Sequence, residues 1–303
     1  MAWRLARDES VISGLKRVAR EEMESARAQL SGEEKTPRDK AIHESRKHIK
    51  KVRALLRLVG GELGDTAKQE NARLRDIAHR LSDFRDAFAM IATFDELRKR
   101  YKKKSALASV RAALEKQRGA SSRDEDVALA LNEAASALNK ASKRVKTWHL
   151  QTGGYEAIRP GLCATYRAGR KALKRARKDP GAPSYHELRK RVKDHWYQVR
   201  LLKNLWSDVM IAWAKSLKDV QTWLGDDHNL AVLREKVAAE PALFGSDRDI
   251  GILFDLIDRR QKELRKQSVS LAARIYEEKP RDFDRRLARL WQTWRREPEL
   301  TAE

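Results

Sequence analysis

Basic side chains recur at helical spacing along residues 42–59, Ile-His-Glu-Ser-Arg-Lys-His-Ile-Lys-Lys-Val-Arg-Ala-Leu-Leu-Arg-Leu-Val. With His43 at the origin and about 100° per residue, Arg46, Lys47, Lys50 and Arg57 fall with it inside an arc of about 100°. Ile42, Ile49, Val52, Leu55, Leu56 and Val59 fall on the opposite side. The spacing predicts a helix with one apolar stripe and one cationic stripe. From His43 to Arg57 the cationic stripe extends about 21 Å, at ~1.5 Å per residue. Arginine offers bidentate donors to phosphate oxygens, lysine a point charge, and histidine a donor whose pKa rises beside a polyanion. Like charges at i, i+4 destabilise a helix by roughly 0.2–0.5 kcal/mol per pair, so an anion lying along the row would relieve it. The chemistry indicated is the binding of a repeating anion.

The same residue types return 143 positions later as His186, Arg189, Lys190, Lys193 and Arg200. Segment 42–59 shares seven identities with 185–202, and 74–90 shares four with 217–233 at the same offset. Chance would give about two in all, so the chain reads as two copies of one helical unit, about 1–145 and 146–303. Helical periods dominate throughout. Breaks are expected at 31–37, 60–65, 117–124, 151–154, 179–184, 240–248 and near Lys279-Pro280, each rich in Gly, Pro, Ser or Asp. No alternating run of strand length stands out, and the fold class expected is all-α.

The totals agree. The 303 residues carry 66 Lys plus Arg against 44 Asp plus Glu, a net charge of +22, with only 14 Gly and 7 Pro. Such a charge in a folded chain implies a polyanionic partner: nucleic acid, an acidic membrane surface or an inorganic polyanion. One cysteine, Cys163, forbids an intrachain disulfide and is expected to be buried and inert. The N-terminus has no apolar secretory segment, and the longest apolar run, residues 209–214, falls far short of the about 20 residues a membrane helix needs. The chain is therefore expected to be soluble and cytoplasmic, with no membrane insertion.

Other chemistries find little support. His43-Glu44 followed by His48 resembles a zinc-protease helix but is one residue too long, putting the two imidazoles about 140° apart. Asp226-Asp227-His228 follows Leu224-Gly225 and reads as a turn with Asx capping of the next helix. The recurring pairs Asp76 with Asp219 and Asp83 with Asp226 are read as holding arginines or capping helices. No phosphate-cradling glycine loop and no nucleophile–base set appears, so no catalytic residue, metal or cofactor is expected. The eight tryptophans are expected mostly in the core, with Trp196 bordering the ligand. Lys171, Lys174, Arg175 and Lys178 form a further basic run.

The segment His43-Glu-Ser-Arg-Lys-His-Ile-Lys, returning as His186-Glu-Leu-Arg-Lys-Arg-Val-Lys, resembles the CHAD domain, an α-helical domain named for its characteristic histidines. Leu224-Gly-Asp-Asp-His-Asn-Leu is similar to that family's leucine-glycine-aspartate turn, with Leu81-Ser-Asp its counterpart in the first copy. The resemblance covers about residues 8–295 and implies a single CHAD domain over 1–303. It implies two pseudo-twofold-related helical bundles whose basic helices line a central cavity, binding of inorganic polyphosphate, and association with polyphosphate granules. Carried onto this sequence, the contacts would be His43, Arg46, Lys47, Lys50 and Arg57 with His186, Arg189, Lys190, Lys193 and Arg200. The two faces differ where Arg53 stands opposite Trp196 and Ala54 opposite Tyr197, and Arg53 and Tyr197 join the expected contacts. No Glu-x-Glu-x-Lys motif or strand-rich segment accompanies them, so a stand-alone CHAD protein is expected. A nucleic-acid-binding protein using the same charge is the alternative, and an enzyme acting on polyphosphate a third class. Periodicity alone leaves open whether the two stripes face one cavity.

Overall fold

The computed structural model describes residues 3–33, 36–81, 83–102, 107–119 and 124–297. Among them are α-helices and short 3-10 turns, with no strand. The first half supplies α1 (Val11–Leu30), α2 (Arg38–Leu58), α3 (Gly60–Leu63), α4 (Asp65–Arg80), α5 (Asp83–Arg100), α6 (Ala108–Gly119) and α7 (Asp124–Arg144). The second supplies α8 (Arg159–Lys178), α9 (Ala182–Leu201), α10 (Ser207–Ala239), α11 (Asp247–Ile275) and α12 (Pro280–Arg296). The expected connections fall between helices, except that 60–65 holds the one-turn helix α3, closed by Gly64 at φ 53°.

Local chemistry sets several ends. Ser10 caps α1 by accepting the Ser13 N–H at 3.2 Å, and Ser246 caps α11 by accepting the Asp249 N–H at 3.2 Å. Prolines stand in the first turns of α8, α9 and α12, where a missing N–H costs nothing. The C-terminus of α9 is satisfied by the N-terminal segment. Leu5 N–H donates to the Leu201 carbonyl at 3.0 Å, and the Trp3 indole N–H donates to the Tyr197 carbonyl at 2.8 Å.

Packing follows the same order in each half: α1 on α2, α2 on α4 and α1 on α7, then α8 on α9, α9 on α10 and α8 on α12. The two bundles interleave. One apolar cluster joins Leu15, Ile49 and Leu55 to Tyr166, Leu188 and Leu217. A second joins Phe94, Val110 and Leu114 to Leu233, Phe244 and Ile257. Both therefore draw helices from both halves. The 33-residue α10 runs through the two clusters, with Trp223 packed against each.

Trp206 departs from the core expectation. It precedes the first turn of α10 and is 55% exposed, whereas Trp148, Trp291 and Trp294 are buried. Cys163 is buried beside Asp284, and burial pushes its thiol up to about 11, far from the thiolate form that reacts.

The two halves approach closely at Gly161 on α8. A Cβ there would stand 1.8 Å from the Leu58 carbonyl oxygen at the end of α2. Backbone cannot yield as a side chain can. Gly161→Ala is expected to destabilise the fold by at least about 1–3 kcal/mol, the usual cost of overpacking. Gly153→Ala, where nothing lies within 4 Å, should leave the thermal midpoint nearly unchanged. Melting of both variants checks this.

Candidate functional site

The apolar stripe of α2 is buried, with Ile42, Ile49, Val52, Leu55 and Leu56 all at or below 1% exposure. The cationic stripe consequently faces outward from that core, and α9 does the same beside it. The two stripes converge on a cavity of about 430 Å³. Lys50, Arg53 and Arg57 of α2 line one side of it; His186, Arg189, Lys190, Lys193 and Tyr197 of α9 line the other. Eight of the twelve expected contacts thus share one groove.

Its cations are held in place by a few neutral and acidic groups. Asn71 Oδ1 on α4 accepts from Arg53 Nε at 3.0 Å and from Arg57 at 3.5 Å. A terminal nitrogen of Arg57 donates to Asp194 Oδ1 on α9 at 2.5 Å, an ion pair linking the two halves. Burial, and then the neighbouring Arg57, lower the pKa of the Arg53 guanidinium, the mark of crowded positive charge. Lys47 and Lys190 each reach back one turn to a glutamate, Glu44 and Glu187, at 2.6 Å. Those two glutamates are also identical between the copies, and steadying the lysine head accounts for it.

His228 of α10 stands behind the groove's His186. Its ring centroid lies 4.5 Å from that of His186, the planes tilted by 44°. Burial, followed by Arg189 and His186, pushes His228 down to about 4; burial with Arg189 and Lys190 also lowers His186. His186 Nδ1 is buried with no hydrogen-bond partner among the described residues. Burial thus disfavours the charged form of both imidazoles.

The turn expected at Leu224-Gly225-Asp226 is corrected: these residues lie inside α10, as does His228. The glycine leaves room for a neighbouring side chain instead of turning the chain. A Cβ on Gly225 would stand 3.7 Å from Arg189 Nε. The following aspartates do not cap a helix. Asp227, buried, accepts from Arg265 Nε at 2.7 Å and ties α11 to α10. Burial, then Glu96, pushes Asp226 up to about 6. Asp76 pairs with its neighbour Arg75 at 3.1 Å, while the Asp83 side chain lies outside the described residues.

The remaining expected contacts lie elsewhere. His43 lines a more apolar cavity of about 540 Å³ with Leu97, Asp226 and Leu230. Arg46 donates to the Ala78 carbonyl in the last turn of α4. Arg200 lies over the Trp196 ring, 4.9 Å from its centroid, in a third cavity. Tyr197, which lines the α2–α9 groove, is only 2% exposed and packs edge-on against Trp3, so its place there is at the base. Of the basic run on α8, Lys171, Lys174 and Lys178 line a separate cavity against Tyr276 and Glu277. Sequence reasoning missed His228, Asn71 and Asp194. Asn71 and Asp194 are lone polar residues on basic or mixed helices and carry no signal of their own.

With this geometry in view, comparison with known proteins gives the class. The CHAD domain family matches residues 19–238, and the chain belongs to that family. The crystal structure of the CHAD domain from the plant Ricinus communis superposes with a TM-score of 0.66 at 17% identity, covering 90% of this chain and 95% of that one. PptA from Streptomyces chartreusis superposes with a TM-score of 0.54 at 13% identity, covering 87% of this chain and 99% of that one. No curated protein matches the sequence. Among the described residues no helix is long and apolar enough to cross a membrane.

The Arg57–Asp194 pair yields a direct test. Arg57 is 32% and Asp194 11% exposed at the side chain, between a surface pair worth ~1 kcal/mol or less and a buried one costing ~3–5 kcal/mol to break. Asp194→Ala is expected to destabilise the protein by an amount within that range, because Arg57 is left uncompensated. Chemical denaturation of the variant measures it.

Proposed function

We propose that this CHAD protein binds inorganic polyphosphate in the α2–α9 groove and acts as a binding module. The observation that carries this reading is the convergence of Lys50, Arg53 and Arg57 with Arg189, Lys190 and Lys193 on one cavity. A bare chain of phosphates presents charge on every side at short intervals, and cations from two facing helices can meet it from both. From Lys50 to Arg57 the α2 wall runs about 10 Å, at ~1.5 Å per residue, room for a few successive phosphates. Arginines would take two oxygens each and lysines one, with counterion release making affinity fall steeply with salt. The pairing order common to both halves supports the reading of two related bundles about this cavity.

Duplex nucleic acid carries its phosphates on the outside of a wide cylinder and would touch only the mouth of such a groove. The groove's lining carboxylate, Asp194, is bonded to Arg57 and serves to hold that cation. Polyphosphate granules in the cytoplasm are the bodies to which such a module would hold.

Labelled long-chain polyphosphate bound at physiological salt should resist displacement by duplex DNA or RNA at equal phosphate concentration. Displacement by DNA refutes the reading. Lys50→Glu with Lys193→Glu should lower affinity at least a hundredfold while circular dichroism stays unchanged; retained affinity moves the site elsewhere.

Proton linkage gives a second measure. An anion beside His186 and His228 raises pKa values that burial has lowered, so binding takes up protons and tightens as pH falls from about 7.5 towards 5. Without ligand the sign is opposite: each depressed imidazole stabilises the fold above its ordinary pKa of about 6.5, and that contribution is lost as pH falls through its folded value, about 4 for His228. His228→Gln should flatten the pH dependence of binding. An unchanged slope removes the histidines from the site.

A further inference from the structure

The cavity that receives Arg200 differs in kind from the polyphosphate groove. It measures about 510 Å³, within the range of small-molecule sites, and lies between the end of α9 and the start of α10. Five cations line it: Arg4, Arg200, Lys203, Lys215 and Lys218. None of the five comes within ion-pair distance of a carboxylate among the described residues, although elsewhere in the chain arginines and lysines are extensively paired. Desolvation, then Lys47 and Arg200, lower the pKa of Lys218, with Asp219 and Asp226 acting on it only at longer range.

The rest of the lining is apolar and aromatic. Trp196, Met210, Ile211 and Ala214 form a wall, with the edge of Trp3 behind it. The Trp196 ring holds the Arg200 guanidinium 4.9 Å and the Lys218 ammonium 5.1 Å from its centroid. Ile211 is 49% exposed among the described residues. An inorganic phosphate chain would use the cations and leave this wall wet. A ligand with a flat aromatic group joined to several phosphates would use both, the group against the indole and aliphatic side chains, the phosphates on the unpaired cations.

We infer that this cavity is a second ligand site, taking a nucleoside polyphosphate with its base against Trp196 and Ile211 and its phosphates on Arg200, Lys215 and Lys218. The recess favours a small ligand over a flat lipid surface, which would need its apolar anchors on a convex face. The cavity shares no lining residue with the groove between α2 and α9, and its test is made with that groove disabled.

Isothermal titration of the full-length Lys50→Glu, Lys193→Glu variant, whose α2–α9 groove is disabled, with ATP and with inorganic tripolyphosphate at physiological salt is the experiment. ATP is expected to bind at least tenfold more tightly than tripolyphosphate. Trp196→Ala should abolish that preference, and Ile211→Ser, an exposed position that leaves the core intact, should reduce it severalfold. Lys50→Glu with Lys193→Glu should leave ATP binding unchanged even where polyphosphate binding is lost. Equal affinity for ATP and tripolyphosphate, or an unaltered preference in both Trp196→Ala and Ile211→Ser, overturns the assignment. So does a single-stranded oligonucleotide binding more than tenfold tighter than ATP per nucleotide. Co-sedimentation with anionic phospholipid vesicles that is lost in Ile211→Ser would give the patch to a membrane and overturns it too.

Discussion

Packing α2 against α9 sets two rows of like charge side by side, and their mutual repulsion must be held in check before any ligand arrives. Two unit charges 4 Å apart interact by about 4 kcal/mol at an effective dielectric near 20, so a cluster of this size would by itself push the helices apart. What holds them is apolar contact on their backs together with a few well-aimed neutral and acidic groups. Asp194 takes one arginine across the gap, and Asn71 seats two arginines with a single oxygen. Glu44 and Glu187 restrain the lysine heads from within their own helices. Burial disfavours the charged form of the two histidines, so they add less to the repulsion.

The acids elsewhere are spent on structure. Glu22 on α1 receives His48 and Lys51 of α2 at 2.5 and 2.8 Å. Glu70 on α4, 3% exposed at its side chain, receives Arg73 and, from α7, Arg144. Asp227 receives Arg265, and Asp284 receives Arg159 of α8 at 2.8 Å. Each joins two helices or steadies one. With so many carboxylates committed in this way, basic side chains outnumber acidic ones along the groove, where Asp194 is the lining carboxylate, and around Trp196.

Much of this was legible in the sequence, and its gaps have physical causes. The 3.6-residue period exposed the two-sided character of α2 and α9, because burial of one stripe fixes the direction of the other. Short connections rich in Gly, Pro, Ser and Asp marked most helix ends. The glycine in Leu224-Gly225-Asp226 misled, because glycine serves close packing as readily as it serves a turn, and only the approach of Arg189 tells which. That error also hid His228, which faces His186 only if α10 continues unbroken. His43 and Arg46 share the angular sector of Lys50, yet a helix long enough to pass several neighbours meets different partners at each turn, and angle alone carries no information about position along the axis.

The interleaving of the two apolar clusters bears on synthesis. Phe94, Val110 and Leu114 emerge from the ribosome well before Leu233, Phe244 and Ile257, the side chains that bury them. At about 5–20 residues per second, the growing chain would carry that uncovered surface for roughly 6–30 s. During that wait the excess of lysines and arginines in the N-terminal half, like charge repelling like, opposes its self-association.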